Sequence, residues 1–206
     1  MSNYRILNIP DSVPIEIQLD FYKKNKLHEL TYHEVIESFK VGGILIPASW
    51  SSCMKKLGND AIDVIPWNVT LQKHWCNENG ISVSNNSKVI NLEILNKQIE
   101  TIKPDVIFFY AGSYHGVPSD YISDLKINFP FLKIISLMWG DYRWDSWYKS
   151  LNNVVDVAFT CNEAYKYKMI DAGIETYENH NSFDPIFLND TIAKLTSIKH
   201  KFIFIG

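Results

Sequence analysis

"DVIFFYAG" (105–112) and "LKIISLMWG" (132–140) decide how this chain folds. Each is an almost unbroken apolar run, too short for a buried helix and closed by glycine. A strand with one wet face would alternate apolar with polar residues. These two do not, so both of their faces must be covered, as happens in the parallel sheet of an α/β layer. Four further runs share the character: "YRILNI" (4–9), "AIDVIPW" (61–67), "VVDVAFTCN" (154–162) and the shorter "IETYENH" (174–180).

Helical patterns lie between them. Thr31 and Glu34 have capping-box spacing, with Leu30 and Val35 placed as a hydrophobic staple across the cap. Val35, Ile36 and Phe39 continue as an apolar face. Leu71 and Trp75 stand four apart in a segment that stops at Gly80, a helix C′ position. Leu92, Leu95, Ile99 and Ile102 form an amphipathic stripe ended by Pro104. Pro118 opens another helix, with Tyr121, Ile122 and Leu125 inward. Asn162 caps one that uses Tyr165, Met169 and Ala172 and stops at Gly173. Strand and helix alternating with short joins predict a Rossmann-like, doubly wound, mostly parallel sheet with helices on both faces.

Composition narrows the function classes. The 206 residues are 46% apolar and 14% aromatic, enough for a sizeable core, and the net charge is −3. No basic surplus points to nucleic acid. Nothing reaches the apolar length of a membrane span, and "MSNYRILNIPDS" does not have the pattern of a signal peptide, so a cytoplasmic location is expected, with peripheral membrane contact left open. Three cysteines far apart in sequence (Cys53, Cys76 and Cys161) give no disulfide framework or zinc pattern and read as buried thiols.

In a doubly wound sheet, ligands sit beyond the carboxyl ends of the strands. That rule selects Asp11 after the first strand, Trp67 and Asn68 after the second, and Gly112, Ser113, Tyr114 and His115 after the third. It also selects Asp141, Tyr142 and Arg143 after the fourth, and His180, Asn181, Ser182 and Asp184 after the last. His115 has the ordinary pKa of a general base, or is a hydrogen-bonded loop histidine. Arg143 suits a phosphate or carboxylate. Trp139, Trp144 and Trp147 are either a stacking surface for a sugar ring or helix-to-sheet packing. Ser49, Ser51 and Ser52, after Gly42 and Gly43, offer an anion cradle or a simple serine cap. His28, His33, His74 and Cys76 do not make a metal motif. A G-x-G-x-x-G after the first strand, a P-loop and a G-x-S-x-G elbow are all absent.

"YENHNSFDPIFL" followed by a polar spacer and "KFIFIG" resembles the interdomain crossover of GT-B glycosyltransferases. "LTYHE" (30–34), "LQKHWCNENG" (71–80), "IKPDVIFFYAG" (102–112) and "MIDAGIETYENHNSFDP" (169–185) are similar to the spore-maturation-type and polysaccharide-synthesis branch. The resemblance implies an acceptor-side domain over 1–182 and a linker over 183–200. Residues 201–206 would be the first strand of a C-terminal donor-binding domain. It implies a saccharide or glycan acceptor, a nucleotide-sugar donor held mainly by the other domain, and no metal or other cofactor. His115 and Asp141 become candidates for the base. Asp11, Trp67, Asn68, Gly112, Ser113, Tyr114, Tyr142 and Arg143 become acceptor contacts, and His180, Asn181, Ser182 and Asp184 face the donor side. This half alone is expected to be inactive, and apolar surface on it would favour a homodimer. The competing expectation is a non-enzymatic flavodoxin-like ligand-binding or interaction domain.

Overall fold

The computed structural model describes residues 3–83, 90–110, 119–140, 143 and 145–179. Six parallel strands form one sheet in the order β4 (Asp60–Asp63), β1 (Arg5–Ile9), β5 (Val106–Phe109), β6 (Ile134–Met138), β7 (Val157–Thr160) and β8 (Glu175–Glu178). β2 (Asp11–Ser12) and β3 (Leu45–Ile46) add a small antiparallel pair. All six apolar runs singled out in the sequence are strands of the main sheet, and the parallel α/β architecture is as expected. The second run is shorter than its sequence suggests. Its last ladder bond joins the Val64 N–H to the Asn8 carbonyl, and the chain then passes Pro66 into the next helix cap.

The helices are α1 (Ile15–Lys24), α2 (Tyr32–Val41), α3 (Trp50–Lys56), α4 (Val69–Glu78), α5 (Ile90–Ile102), α6 (Ser119–Asn128), α7 (Asp145–Ser150) and α8 (Glu163–Asp171). A 3₁₀ turn at Leu27–Glu29 joins α1 to α2. The capping box is present: the Thr31 hydroxyl accepts from the Glu34 N–H while the Glu34 carboxylate accepts from the Thr31 N–H at 2.8 Å. Asn162 caps α8, and Gly80 and Gly173 follow their helices with φ of 63° and 89°.

One sheet face carries Leu7, Ile9, Ile107, Phe109, Ile135, Leu137 and Ala158. It packs against Leu95 and Ile99 of α5, Ile122 and Leu125 of α6, Tyr148 of α7 and Met169 of α8. The opposite face places Ile6, Ala61, Phe108 and Met138 under Trp50 and Met54 of α3, with the Trp50 ring stacked on Phe108 at 4.7 Å. A third cluster, around Phe39, Ile65, Leu71, Trp75 and Ile94, joins α2 to α4 and α5. Among the described residues no helix is long and apolar enough to cross a membrane.

The chain leaves β1 toward β4, then returns across β1 to β5 and continues through β6, β7 and β8. The winding direction therefore reverses between β1 and β5, where the loops leaving the two strands part and open a crevice.

Candidate functional site

The reversal point is built from the ends of β1 and β5. The Tyr110 N–H donates to the Ile9 carbonyl at 3.0 Å, which ties the two strand ends together. One residue further, past Pro10, Asp11 turns back on itself, its Oδ1 accepting from the Ser12 N–H at 2.8 Å. The Tyr110 hydroxyl is pushed above its ordinary pKa by burial first, then by the negative charges of Asp11 and Cys161. Asp11, Tyr110 and Cys161 thus share one neighbourhood at the rim, contributed by the ends of β1, β5 and β7. All three are half-buried. Gly140, just beyond β6, closes this group. A Cβ there would stand 3.8 Å from the Cys161 sulfur, an ordinary contact.

Arg143 lies past β6, two strands along from β1, which is roughly 10 Å at normal strand spacing. Its guanidinium sits 4.8 Å from the centre of the Trp139 ring, a cation–π seat that holds the charge at the rim. Its backbone N–H donates to the Tyr148 hydroxyl at 3.3 Å. Trp139 itself is 0% exposed and packs on Trp147 at 4.5 Å, and Tyr148 is 1% exposed. Trp139 and Tyr148 therefore pack the core, and Trp139 has no face to offer a sugar ring.

Asn68 is 1% exposed and committed to the fold. Its Oδ1 caps α4 by accepting from the Leu71 N–H at 3.0 Å, and its Nδ2 donates to the Gln18 Oε1 at 3.0 Å. Gln18 in turn donates to the Val13 carbonyl at 2.7 Å and the Ser12 hydroxyl at 3.0 Å. The pair fixes the β1 loop from below, which is how Asn68 supports Asp11. Trp67 is half-buried against the main core. The other rim candidates, Gly112, Ser113, Tyr114, His115, Asp141, Tyr142, His180, Asn181, Ser182 and Asp184, lie outside the described residues, as do the 183–200 linker, the 201–206 strand and Pro118.

The serine-rich segment has a different use from either one expected of it. Ser49 stands at the N-cap of α3 without a side-chain cap bond. Ser51 is buried and donates to Asp63, whose carboxylate also meets Lys40 at 2.6 Å and Asn8 at 2.6 Å. Lys40 lies 3.1 Å from the Ser51 hydroxyl. A serine–lysine nucleophile is ruled out here: burial would lower the Lys40 pKa, but Asp63 and Glu37 more than offset it and hold the ammonium charged. Ser51 is 1% exposed and out of a substrate's reach. Nor are all three thiols buried, since Cys53 and Cys161 are only partly so.

One constellation escaped the sequence reading. The Tyr22 hydroxyl lies 3.1 Å from His74 Nδ1, and His74 Nε2 lies 3.0 Å from the Glu78 carboxylate, which also accepts from the Tyr32 N–H at 2.7 Å. The chain lines an open cleft of about 490 Å³ with His28, Thr70 and Lys73. His74 and Glu78 at i and i+4 are a legible pair, but Tyr22 comes from a helix the periodicity did not reveal. His74 and Glu78 stand six and ten residues along α4 from its cap, roughly 9–15 Å along the helix axis. Among the described residues no group of three or more His, Cys, Asp and Glu side chains is placed to hold a metal ion.

At the rim, then, a carboxylate, a phenol and a seated guanidinium edge the reversal crevice: acceptors for hydroxyl protons, and donors for an anion. Comparison of the chain with family models, with curated proteins and with solved structures gives no match.

Proposed function

We propose that this chain is the acceptor-binding lobe of a glycosyltransferase that moves a sugar from a nucleotide-sugar donor to a glycan, lipid-linked or protein acceptor in the cytoplasm. The observation that carries the reading is the winding reversal between β1 and β5, with Asp11 and Tyr110 at its mouth. It is joined by the sequence resemblance of residues 177–188, with the polar spacer and "KFIFIG" that follow, to the interdomain crossover of GT-B enzymes. Asp11 accepts hydrogen bonds from acceptor hydroxyls, and Tyr110 donates or accepts beside it. Arg143 pairs with an anionic group on the acceptor. A base, for which the sequence offers His115 and Asp141, takes the hydroxyl proton in an inverting reaction. The freed oxygen attacks the anomeric carbon, and the nucleoside diphosphate departs with the bonding electron pair. The donor is held by a facing lobe.

The test is binding rather than turnover. Backbone amide spectra of the isotope-labelled chain are followed during titration with neutral oligosaccharides, glycosyl phosphates, nucleotide sugars and FMN. Saturable shifts from a saccharide, centred on Asp11 and Tyr110 and lost in Asp11→Asn at unchanged Tm, are the expected outcome. Binding of FMN at that rim with no saccharide response would establish the flavodoxin-like alternative and remove this one.

A further inference from the structure

The interior between α2, α4 and α5 holds polar atoms that a dry core does not tolerate. Gln98 is 0% exposed, and neither its Nε2 nor its Oε1 has a hydrogen-bond partner among the described residues. Gln72 is also 0% exposed. Its Nε2 donates to the Ile65 carbonyl at 2.6 Å, and its Oε1 is without a donor. The Tyr32 hydroxyl, buried as well, faces the Gln98 amide and the Ile65 backbone yet reaches neither at hydrogen-bond geometry. Four polar atoms from three helices therefore gather about Ile65.

Turning the amides does not solve the problem. Both ends of Gln98 are unpartnered, so exchanging them changes nothing. Reversing Gln72 would point its oxygen at the Ile65 carbonyl, acceptor against acceptor. Each such group left unpaired forfeits its hydration without return, and four of them in one place weigh heavily against the small net stability of a domain. Native interiors meet this situation with bound water that makes two to four hydrogen bonds.

We infer that Tyr32, Gln72 and Gln98 form an internal water-binding site that links α2, α4 and α5 across the end of β4. The valences match. A single water donates to the two glutamine oxygens and accepts from the Tyr32 hydroxyl and the Gln98 amide. The site is built for water in particular, because two carbonyl oxygens need protons while a hydroxyl and an amide need an acceptor. A metal ion would satisfy only the oxygens, and an anion only the donors. This accounts for two buried glutamines facing a buried tyrosine where leucine and phenylalanine would otherwise pack.

Two measurements on the intact chain decide it. Water-selective NOE spectroscopy should give cross-peaks from the Gln98 and Gln72 side-chain amide protons to a water that exchanges slowly with bulk. Gln98→Leu should lower Tm by about 3–6 °C, because it strips the water of two partners while preserving volume. If these atoms hold no water, the same substitution removes two unsatisfied atoms and raises Tm. No water cross-peaks at these amides, or a Tm unchanged or raised in Gln98→Leu, would overturn the inference.

Discussion

The Asp63–Lys40 pair is the most exacting test of how this fold is held. The two side chains are 3% and 5% exposed and meet at 2.6 Å. Asp63 also accepts from Asn8 and Ser51, while Lys40 reaches the half-exposed Glu37 at 2.7 Å. Asp63→Asn removes the countercharge and puts an amide donor among donors. Breaking one partner of a buried pair costs about 3–5 kcal/mol, because a charge is left under-compensated in low dielectric, and the half-exposed Glu37 makes good only part of the loss. For a chain of this length each kcal/mol moves Tm by about 2–4 °C, so Tm should fall by roughly 10 °C. Lys40→Met should cost less, about 3 kcal/mol, since Asp63 keeps two neutral donors. In the double variant Lys40→Met with Asp63→Asn no charge is left buried, and the loss should be smaller than the sum of the singles by at least 1–2 kcal/mol. Urea unfolding of the four proteins gives the cycle, and repeating it in 1 M salt should change little, because buried pairs are weakly screened. The sign in pH follows from the raised Lys40 value. Its contribution is complete below the ordinary lysine value of 10.5 and is lost as pH climbs through the higher folded value. Lys40→Met should therefore flatten the alkaline limb of the stability curve. Single variants costing under about 1 kcal/mol, or a strictly additive cycle, would refute the buried-pair reasoning.

Four other expectations follow from individual contacts. Thr31→Ala removes the capping box of α2 and should cost about 1 kcal/mol, read by urea melts. Gly42→Ala keeps an allowed backbone but drives its Cβ into the Phe21 ring; about 1–3 kcal/mol of overpacking is expected, with Phe21→Leu in the same chain restoring part of it. Because the Glu78 carboxylate accepts at His74 Nε2, the neutral ring should carry its proton there and accept from Tyr22 at Nδ1; nitrogen-15 shifts showing the Nδ1–H tautomer would contradict the relay. Asp105 is held below the ordinary carboxylate value by the Arg5 N–H first and by Lys133 next. Its stabilisation is present above the ordinary 3.8 and lost as pH falls through the lower folded value, so Asp105→Asn should flatten the acid limb of urea midpoints measured between pH 5 and 2.

The main sheet was legible because its central strands are wet on neither face, so Ile107, Phe109, Ile135 and Leu137 stand in unbroken apolar runs. α1 was not legible, and its burial shows why. Its interior residues are Gln18 and Tyr22, while Ile15 and Ile17 are 37% and 52% exposed. Apolar periodicity carries no information when the inward face is an amide and a phenol. The β2–β3 pair is two residues a side, below what alternation can register. Lys40 and Asp63 are 23 positions apart and look like ordinary surface charges until α2 is laid against β4. Strand-end logic did find Asp11, but it passed over Tyr110 as the last apolar residue of its strand, where the side chain in fact stands at the rim.

The amino end of the sheet and the mouth of the winding reversal use their charges differently. At the amino ends, ionic groups are spent on joining strands. Asp105 takes the Arg5 N–H at 2.9 Å and Lys133 at 2.7 Å, and Arg5 pairs with Asp60 at 3.0 Å. Asp156 takes the Ile135 N–H at 2.6 Å together with Lys126. These bonds cross between β1, β4, β5, β6 and β7 and fix register. At the carboxyl ends the contacts seen for Asp11 and Arg143 are local: Asp11 bonds its own neighbour and faces Tyr110, and Arg143 lies on the Trp139 ring beneath it. Both side chains sit half-buried at that rim. Their half-buried setting is maintained by the amide chain from Asn68 through Gln18 to Ser12 and by the packed Trp139–Trp147 pair. Carboxyl-end charges also serve the fold: Asp63 at the end of β4 pairs with Lys40 and accepts from Asn8 of β1, and Glu178 at the end of β8 meets Lys166. Asp11 and Tyr110 stand at the winding reversal, where a parallel sheet opens its crevice.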